Sequence, residues 1–337
     1  MTEALRFVPP LPNQHAQIVA QSLSLRRALE LAERFARTPL AILLTGPTGT
    51  GKELFARRIH AWSGREGPFV PVNCAALPED MVESLLFGHA RGAFTGAVSD
   101  RTGFIEAADR GTLYLDELTS LPREAQAKLL RVLESRDVYR LGETTPRRVD
   151  FRMVASGHDD LATQIRDGGF RLDLFTRVAG VRLELAPLRE RREDVWPLAE
   201  HFAELEGWVL APETAPILAS YDWPGNAREL RNAVERAGFL SSNPVIGAAV
   251  LAEAIELGAV AKSVGGNGNG RRAELLAICE ANECNSLRIA AALGIRRSAL
   301  FQRLKAHGVS LRELKKSGKS MDGPRTSRIL SGDRRWE

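Results

Sequence analysis

The chain has 337 residues, 44% hydrophobic and 26% charged, with a formal net charge of +4; the length suits about two domains, and the composition excludes full-length disorder and a coiled coil. No apolar run approaches the roughly 20 residues that a membrane span requires. The small net charge hides an asymmetry: residues 262–337 carry 16 Lys/Arg against 7 Asp/Glu, and residues 1–261 carry 30 against 35, so an anionic partner, nucleic acid first, is expected at the C-terminal quarter, with a solvated basic tail as the alternative.

The N-terminal MTEALRFVPP has no basic region followed by an apolar stretch, so no secretion signal is read. Cys74, Cys279 and Cys284 are too sparse and odd a set for a disulfide scaffold, and the six histidines show no zinc-ligand spacing. A cytoplasmic setting is the expectation. Residues 40–45 form a strand-like run ending in a glycine-rich loop, and residues 52–62 read as a helix. Residues 69–73 and 112–115 are further short strands. Residues 122–135 are helical, with Leu129, Leu130 and Leu133 at core spacing, and residues 151–156 are another strand. This βαβα alternation predicts an α/β fold with a parallel sheet covered by helices. From 193 to 257 the pattern is mostly helical, which predicts a small all-α subdomain. The segment 258–270, GAVAKSVGGNGNG, reads as a flexible linker. A small basic module (271–309) follows, then a tail (310–337) short of apolar residues and expected to be disordered.

Between the first strand and its helix, Gly46, Pro47, Thr48, Gly49, Thr50, Gly51 and Lys52 fit the spacing G-x-x-x-x-G-K. The glycines let backbone N–H groups wrap a phosphate chain, Lys52 reaches the β- and γ-phosphates, and the helix N-terminus adds its dipole. A glycine-rich turn with an incidental lysine is the alternative, and the strand–loop–helix context argues against it. Glu53 stands where a hydroxyl usually meets Mg²⁺, so metal binding must lean on other groups. The run Gly111 to Leu115 ends in Asp116 and Glu117, at the strand end where parallel sheets place ligand chemistry. Asp116 would hold Mg²⁺ through water, and Glu117 would polarise the attacking water. Alone, such an acid pair is more often a solvated strand end. Behind a phosphate loop in the same α/β body, it predicts an ATPase.

Three stretches then carry a resemblance: residues 72–77 (VNCAAL), residues 83–89 (ESLLFGH), and Gly92, Ala93, Phe94, Thr95, Gly96 and Ala97 (GAFTGA). With them, residues 14–256 resemble the AAA+ domain of bacterial enhancer-binding proteins, the NtrC-type activators of sigma-54 RNA polymerase. The resemblance implies an AAA+ P-loop NTPase with an α/β core (14–186) and a helical lid (187–257) behind a short extension (1–13). GAFTGA is the hallmark of that family and tips a surface loop that touches sigma-54 and moves with the nucleotide state. Glu53 after the lysine is a habit of the family. Read physically, Gly92 and Gly96 supply backbone freedom, Ala93 and Ala97 keep the tip slim, and Phe94 and Thr95 offer an aromatic anchor and a polar contact; the competing reading buries Phe94 in the core.

The resemblance also implies roles for single residues. Asn73 matches an asparagine that holds the catalytic glutamate off; capping a strand end is the equal alternative. Arg171 and Arg177 match arginine fingers that reach a neighbouring subunit's γ-phosphate, with surface ion pairs as the competing reading. Arg228, within residues 223–230 (WPGNAREL), matches the sensor II residue facing nucleotide, and Asn226 is expected to cap the helix there. Two departures are present: Gly157 and His158 stand where the family has Thr-Asn to sense γ-phosphate, and Pro47 stands where it favours Glu.

Residues 273–309 resemble the Fis-type helix-turn-helix of these activators. Their third predicted helix carries Arg296, Arg297, Ser298, Gln302, Arg303 and Lys305 among its polar positions, where Arg and Gln suit guanine and adenine edges and Lys suits phosphate. A three-helix protein-binding bundle is the alternative. The expected protein is therefore an activator that binds double-stranded DNA upstream of a promoter and uses ATP, Mg²⁺ and a homo-oligomeric ring, a hexamer by the resemblance, to open a closed sigma-54 polymerase complex. A weakly hydrolysing regulator acting by occupancy is the rival, and a general protein remodeller the third reading. Only 13 residues precede Gln14, so no receiver or sensing domain is read, and control is expected to be absent or to come from a separate protein in trans.

Overall fold

The computed structural model describes residues 18–157 and 161–263, together with Cys279 and Ile289. The chain divides into two compact units, Met1–Gly258 and Ala259–Glu337. In chain order the described elements are α1 (Leu23–Ala36), β1 (Ile42–Thr45), α2 (Lys52–Ser63), β2 (Phe69–Asn73), α3 (Val82–Phe87), β3 (Gly88–His89), β4 (Arg101–Thr102), α4 (Phe104–Ala107), β5 (Thr112–Asp116) and α5 (Arg123–Ser135). They continue with β6 (Asp137–Val138), β7 (Arg147–Arg148), β8 (Arg152–Gly157), α6 (Leu161–Arg166), α7 (Leu172–Val178), β9 (Val181–Glu184), α8 (Val195–Leu205), β10 (Val209–Leu210), α9 (Ala215–Ser220), α10 (Asn226–Leu240), β11 (Val245–Ile246) and α11 (Ala248–Ser263).

Five strands form one parallel sheet in the order β2-β5-β8-β1-β9. Side chains alternate faces along a strand, and both faces are covered. Leu43, Leu113, Leu115, Met153 and Ala155 enter one core with α5 and α7, while Ile42, Leu44, Tyr114 and Val154 enter the other with α1 and α2. That double burial is why the central strands read as continuous apolar runs. The lid has its own core around Trp223, Leu230, Val234 and Leu251.

Helix α1 and strand β9 are among the elements that the sequence pattern did not predict. Helix α1 buries Leu25, Ala28, Ala32 and Ala36 on one stripe, and three alanines give a weak apolar signal. Strand β9 lies at the sheet edge with only Leu183 of its four residues buried. The region read as all-helical carries one exception, a parallel pair Val209↔Val245 and Leu210↔Ile246. Buried Arg152 secures the C-terminal end of α1: its guanidinium donates to Thr38 O, and to Phe35 O at 2.8 Å. The helix-turn-helix expectation and the tail lie outside the described residues, apart from Cys279 and Ile289, which are helical and buried.

Candidate functional site

Strand β1 ends at Thr45, and the chain turns at Gly46 with φ 136°. A Cβ there would sit 2.3 Å from Leu185 O, so this turn excludes any side chain. Helix α2 then starts at Lys52 behind Gly51, and no side chain caps it. Its first-turn N–H groups are therefore left for an anion. The Lys52 ammonium is tucked back into the loop, donating to Gly46 O at 2.8 Å and Pro47 O at 3.0 Å. Thr48, Gly49, Thr50, Gly51, Lys52 and Glu53 line a cleft of about 560 Å³. Gly46 and Pro47 do not line it; they supply the carbonyls that hold the lysine. Exposed Glu53 is paired with Arg57 at 2.6 Å.

Across the cleft stand Asn73, Asp116 and Glu117. The β2–β5 register sets Asn73 beside Asp116. Asp116 Oδ1 accepts from the Tyr114 phenol at 2.9 Å and from the Ser156 hydroxyl. Ser156 Oγ in turn accepts the Glu117 N–H at 3.0 Å. Glu117 has a left-handed backbone, φ 54° and ψ 47°, unusual for a residue with a Cβ. Both acids are half-buried rather than solvated. Their presence is felt next door: burial first, and then these two carboxylates, push the Cys74 thiol up to about 12, so Cys74 is an inert core residue. The Asn73 amide oxygen accepts the Ala75 N–H at 3.0 Å, the strand-end cap that was one of its two readings.

The lid closes the third side with Arg191, Leu198, His201, Phe202, Leu205, Ala227, Arg228 and Arg231, and residues Ile18 and Val19 complete an apolar end suited to a flat ring. The lid is tied to the phosphate loop at two points. Asn226 donates from Nδ2 to Thr48 O at 2.9 Å and accepts the Leu188 N–H at 2.7 Å. Arg191 donates to Thr50 O at 3.1 Å and to Ala186 O at 3.0 Å. Gly49 lies so close to the lid that a Cβ would stand 2.3 Å from Gly225 O. Asn226 is thus a strut and not the helix cap expected of it: its own φ is 54°, Gly225 occupies the cap position without a side-chain bond, and Glu229 takes the Gly225 N–H at 2.7 Å.

Arg171 and Arg177 do not line this cleft. Arg171 makes an exposed two-bond pair with Asp173, the shorter at 2.6 Å, and Arg177 donates to Leu133 O at 2.8 Å. The loop bearing Gly92, Ala93, Phe94, Thr95 and Gly96 projects at the surface, with Phe94 46% exposed and its ring edge-on to His89 at 5.0 Å. Ala97 departs from its expected place at the tip: it is buried at the loop base and accepts the Gly92 N–H at 2.8 Å. Arg296, Arg297, Ser298, Gln302, Arg303, Lys305 and His158 lie outside the described residues. Sequence reasoning missed Tyr114, Ser156, Arg191, Asp194 and His201. Tyr114 alone carried a local signal, a hydroxyl two residues before the acid on the same strand.

Oxygen donors suit Mg²⁺, and one carboxylate together with substrate phosphates is its usual environment. Among the described residues no cluster of three or more His, Cys, Asp or Glu could hold a metal unaided. Asp116 therefore fits an ion that arrives with a phosphate chain. Among the described residues no helix is long and apolar enough to cross a membrane.

Residues 18–184 match the sigma-54 interaction domain family, and residues 189–264 match the AAA+ ATPase lid domain family. The regulatory protein AtoC of Escherichia coli strain K12 is 40% identical over 316 residues, 88% of this chain and 68% of AtoC. The DNA-binding transcriptional regulator NtrC of Klebsiella pneumoniae is 42% identical over 231 residues, 66% of this chain and 49% of NtrC, so the chain spans about half the length of that relative. The crystal structure of Brucella abortus NtrX in complex with ATP superimposes with a TM-score of 0.64 at 36% identity, covering 87% of this chain and 69% of that one.

Proposed function

Since the chain belongs to the sigma-54-interacting AAA+ ATPase family of transcriptional activators, we propose that it binds DNA upstream of a promoter, hydrolyses ATP in this cleft and uses the loop at Phe94 and Thr95 to open a closed sigma-54 RNA polymerase complex. The observation that carries the reading is one cleft holding Lys52 and the uncapped α2 terminus on one wall and Asp116 with Glu117 on the other. The loop backbone and Lys52 take the phosphates; the ammonium exchanges two loop carbonyls for phosphate oxygens. The apolar end takes the base, and Arg228 lies on the lid side, in reach of the phosphates. Asp116 would hold Mg²⁺, which supplies neutralisation of the charge that develops on the phosphates. Glu117 accepts a proton from water as its oxygen attacks the γ-phosphorus, and the bond to the β–γ bridging oxygen breaks to leave ADP and phosphate.

Arg171 and Arg177, outside their own cleft, serve a neighbour's in a head-to-tail ring, a hexamer by family analogy. Arg296, Arg297, Ser298, Gln302, Arg303 and Lys305 contact the DNA, and the setting is cytoplasmic. The test pairs two variants. Glu117→Gln loses turnover, on the order of 10²-fold or more, while binding nucleotide. Thr95→Ala keeps ATP turnover and loses open-complex formation on a sigma-54 promoter. If both activities survive Thr95→Ala, the loop assignment is wrong. Gly157, which ends β8 without a side chain at the γ-phosphate-sensing position, favours a second reading, a regulator acting by occupancy; wild-type turnover no faster than that of Glu117→Gln selects it.

A further inference from the structure

Strand β8 lies between the strand that leads to the phosphate loop and the strand that carries the acid pair. Leu44 pairs with Ser156 on one side, and Leu115 pairs with Ala155 on the other. Ser156 is fully buried, and at this end of β8 the next residue, Gly157, has no side chain. The Ser156 hydroxyl is therefore the polar group with which the described part of β8 reaches the acids. It makes two bonds of opposite sense, accepting the Glu117 N–H and donating to Asp116 Oδ1. The Tyr114 phenol, also buried, donates to the same Oδ1. Both donors fall on one carboxylate oxygen, and among the described residues no donor is bonded to Oδ2.

We propose that Ser156 is the positioning residue of the acid pair. Its two bonds lock the Glu117 backbone into the left-handed turn that aims its carboxylate and, with Tyr114, hold Asp116 so that Oδ2 is the oxygen presented to the Mg²⁺ shell. Held geometry of this kind sets both metal affinity and rate, because a catalytic carboxylate that rotates must be re-aligned at every turnover. The inference rests on the ATPase reading.

The test uses Ser156→Ala, Ser156→Thr and Tyr114→Phe in the full chain. Four readouts are taken: kcat and KM for ATP, the Mg²⁺ concentration for half-maximal rate, affinity for a fluorescent ATP analogue without metal, and Mn²⁺ binding to the nucleotide complex by electron paramagnetic resonance. Ser156→Ala lowers kcat and weakens Mn²⁺ binding, each by about 10–100-fold, with metal-free nucleotide affinity within about twofold. Ser156→Thr, which keeps the hydroxyl, restores both. Tyr114→Phe, which removes a hydroxyl bonded to Asp116 and in contact with Ser156 but keeps the Ser156 bond to the Glu117 N–H, shifts the metal dependence and leaves more of kcat. Unchanged kcat and Mn²⁺ affinity in Ser156→Ala overturn the proposal, as does an equal loss in Ser156→Ala and Ser156→Thr. A wild-type protein without turnover sinks the ATPase reading instead, and the Mn²⁺ titration then decides the role of Ser156 by itself.

Discussion

His60 sits half-buried on α2 with Nδ1 2.8 Å from Thr112 Oγ1 and its ring 5.6 Å from that of Phe69. Burial, and secondarily the Arg57 guanidinium, lower its pKa from the ordinary 6.5. The unfolded chain then takes up the proton first as pH falls through 6.5, so the His60 contribution to stability is complete above that pH and declines below it until the folded pKa is reached. His60→Gln should flatten the stability profile as pH falls below 6.5, read as urea midpoints on either side of that pH; an unchanged slope would remove His60 as its source. Single residues also mark how far the sequence could be read. Lys52, Asp116 and Glu117 stand in runs whose spacing is itself the signal. Ser156 lies 39 residues from Glu117, and Asn226 lies 178 from Thr48. Only the folded sheet and lid bring such partners together, so one chain's pattern could not name them.

At the scale of elements, the lid is held to the core by a buried carboxylate. Asp194 is fully buried and accepts the Gln21 N–H at 2.6 Å, the Ser22 N–H at 2.7 Å and the Ser22 hydroxyl at 2.7 Å. The Arg191 guanidinium lies 3.6 Å away and reaches on to Thr50 O in the phosphate loop. Ser22 is at the same time the cap of α1. Removing the carboxylate leaves the buried Arg191 without its counter-charge and three donors unpaired, so Asp194→Ala should cost about 3–5 kcal/mol, whereas Ser22→Ala, losing the cap and one of the three donors to Asp194, should cost less, about 2 kcal/mol. Urea unfolding measures both, and the reverse order would show that the clamp is not Asp194. The elements easiest to read were those with strong apolar signals: β1, β5 and β8 are buried on both faces. The alanine stripe of α1, the half-covered β9 and the two-residue β3–β4 and β6–β7 ladders carry little apolar contrast. Their existence is decided by tertiary packing rather than by local pattern.

At the scale of the whole molecule, the cleft has its own loop, acids and lid arginines, yet both finger candidates lie elsewhere on the subunit. Arg171 is held by Asp173, whose carboxyl this partner, first through its hydrogen bonds, brings down to about 2, so the pair stays charged at any working pH. A γ-phosphate offers the same guanidinium a bidentate partner of higher charge, which makes the exposed ion pair exchangeable when a neighbour docks. In the proposed head-to-tail ring, each interface would take Glu117 from one subunit and Arg171 from the next. Glu117→Gln and Arg171→Ala are then each inactive alone. Mixed in equal amounts, they rebuild about a quarter of the interfaces with both groups intact, because a heterologous ring pairs unlike faces. Recovered ATPase activity on mixing marks a finger acting in trans. No recovery with both variants dead places Arg171 in its own subunit's chemistry, and an Arg171→Ala protein active by itself reduces the residue to a surface ion pair.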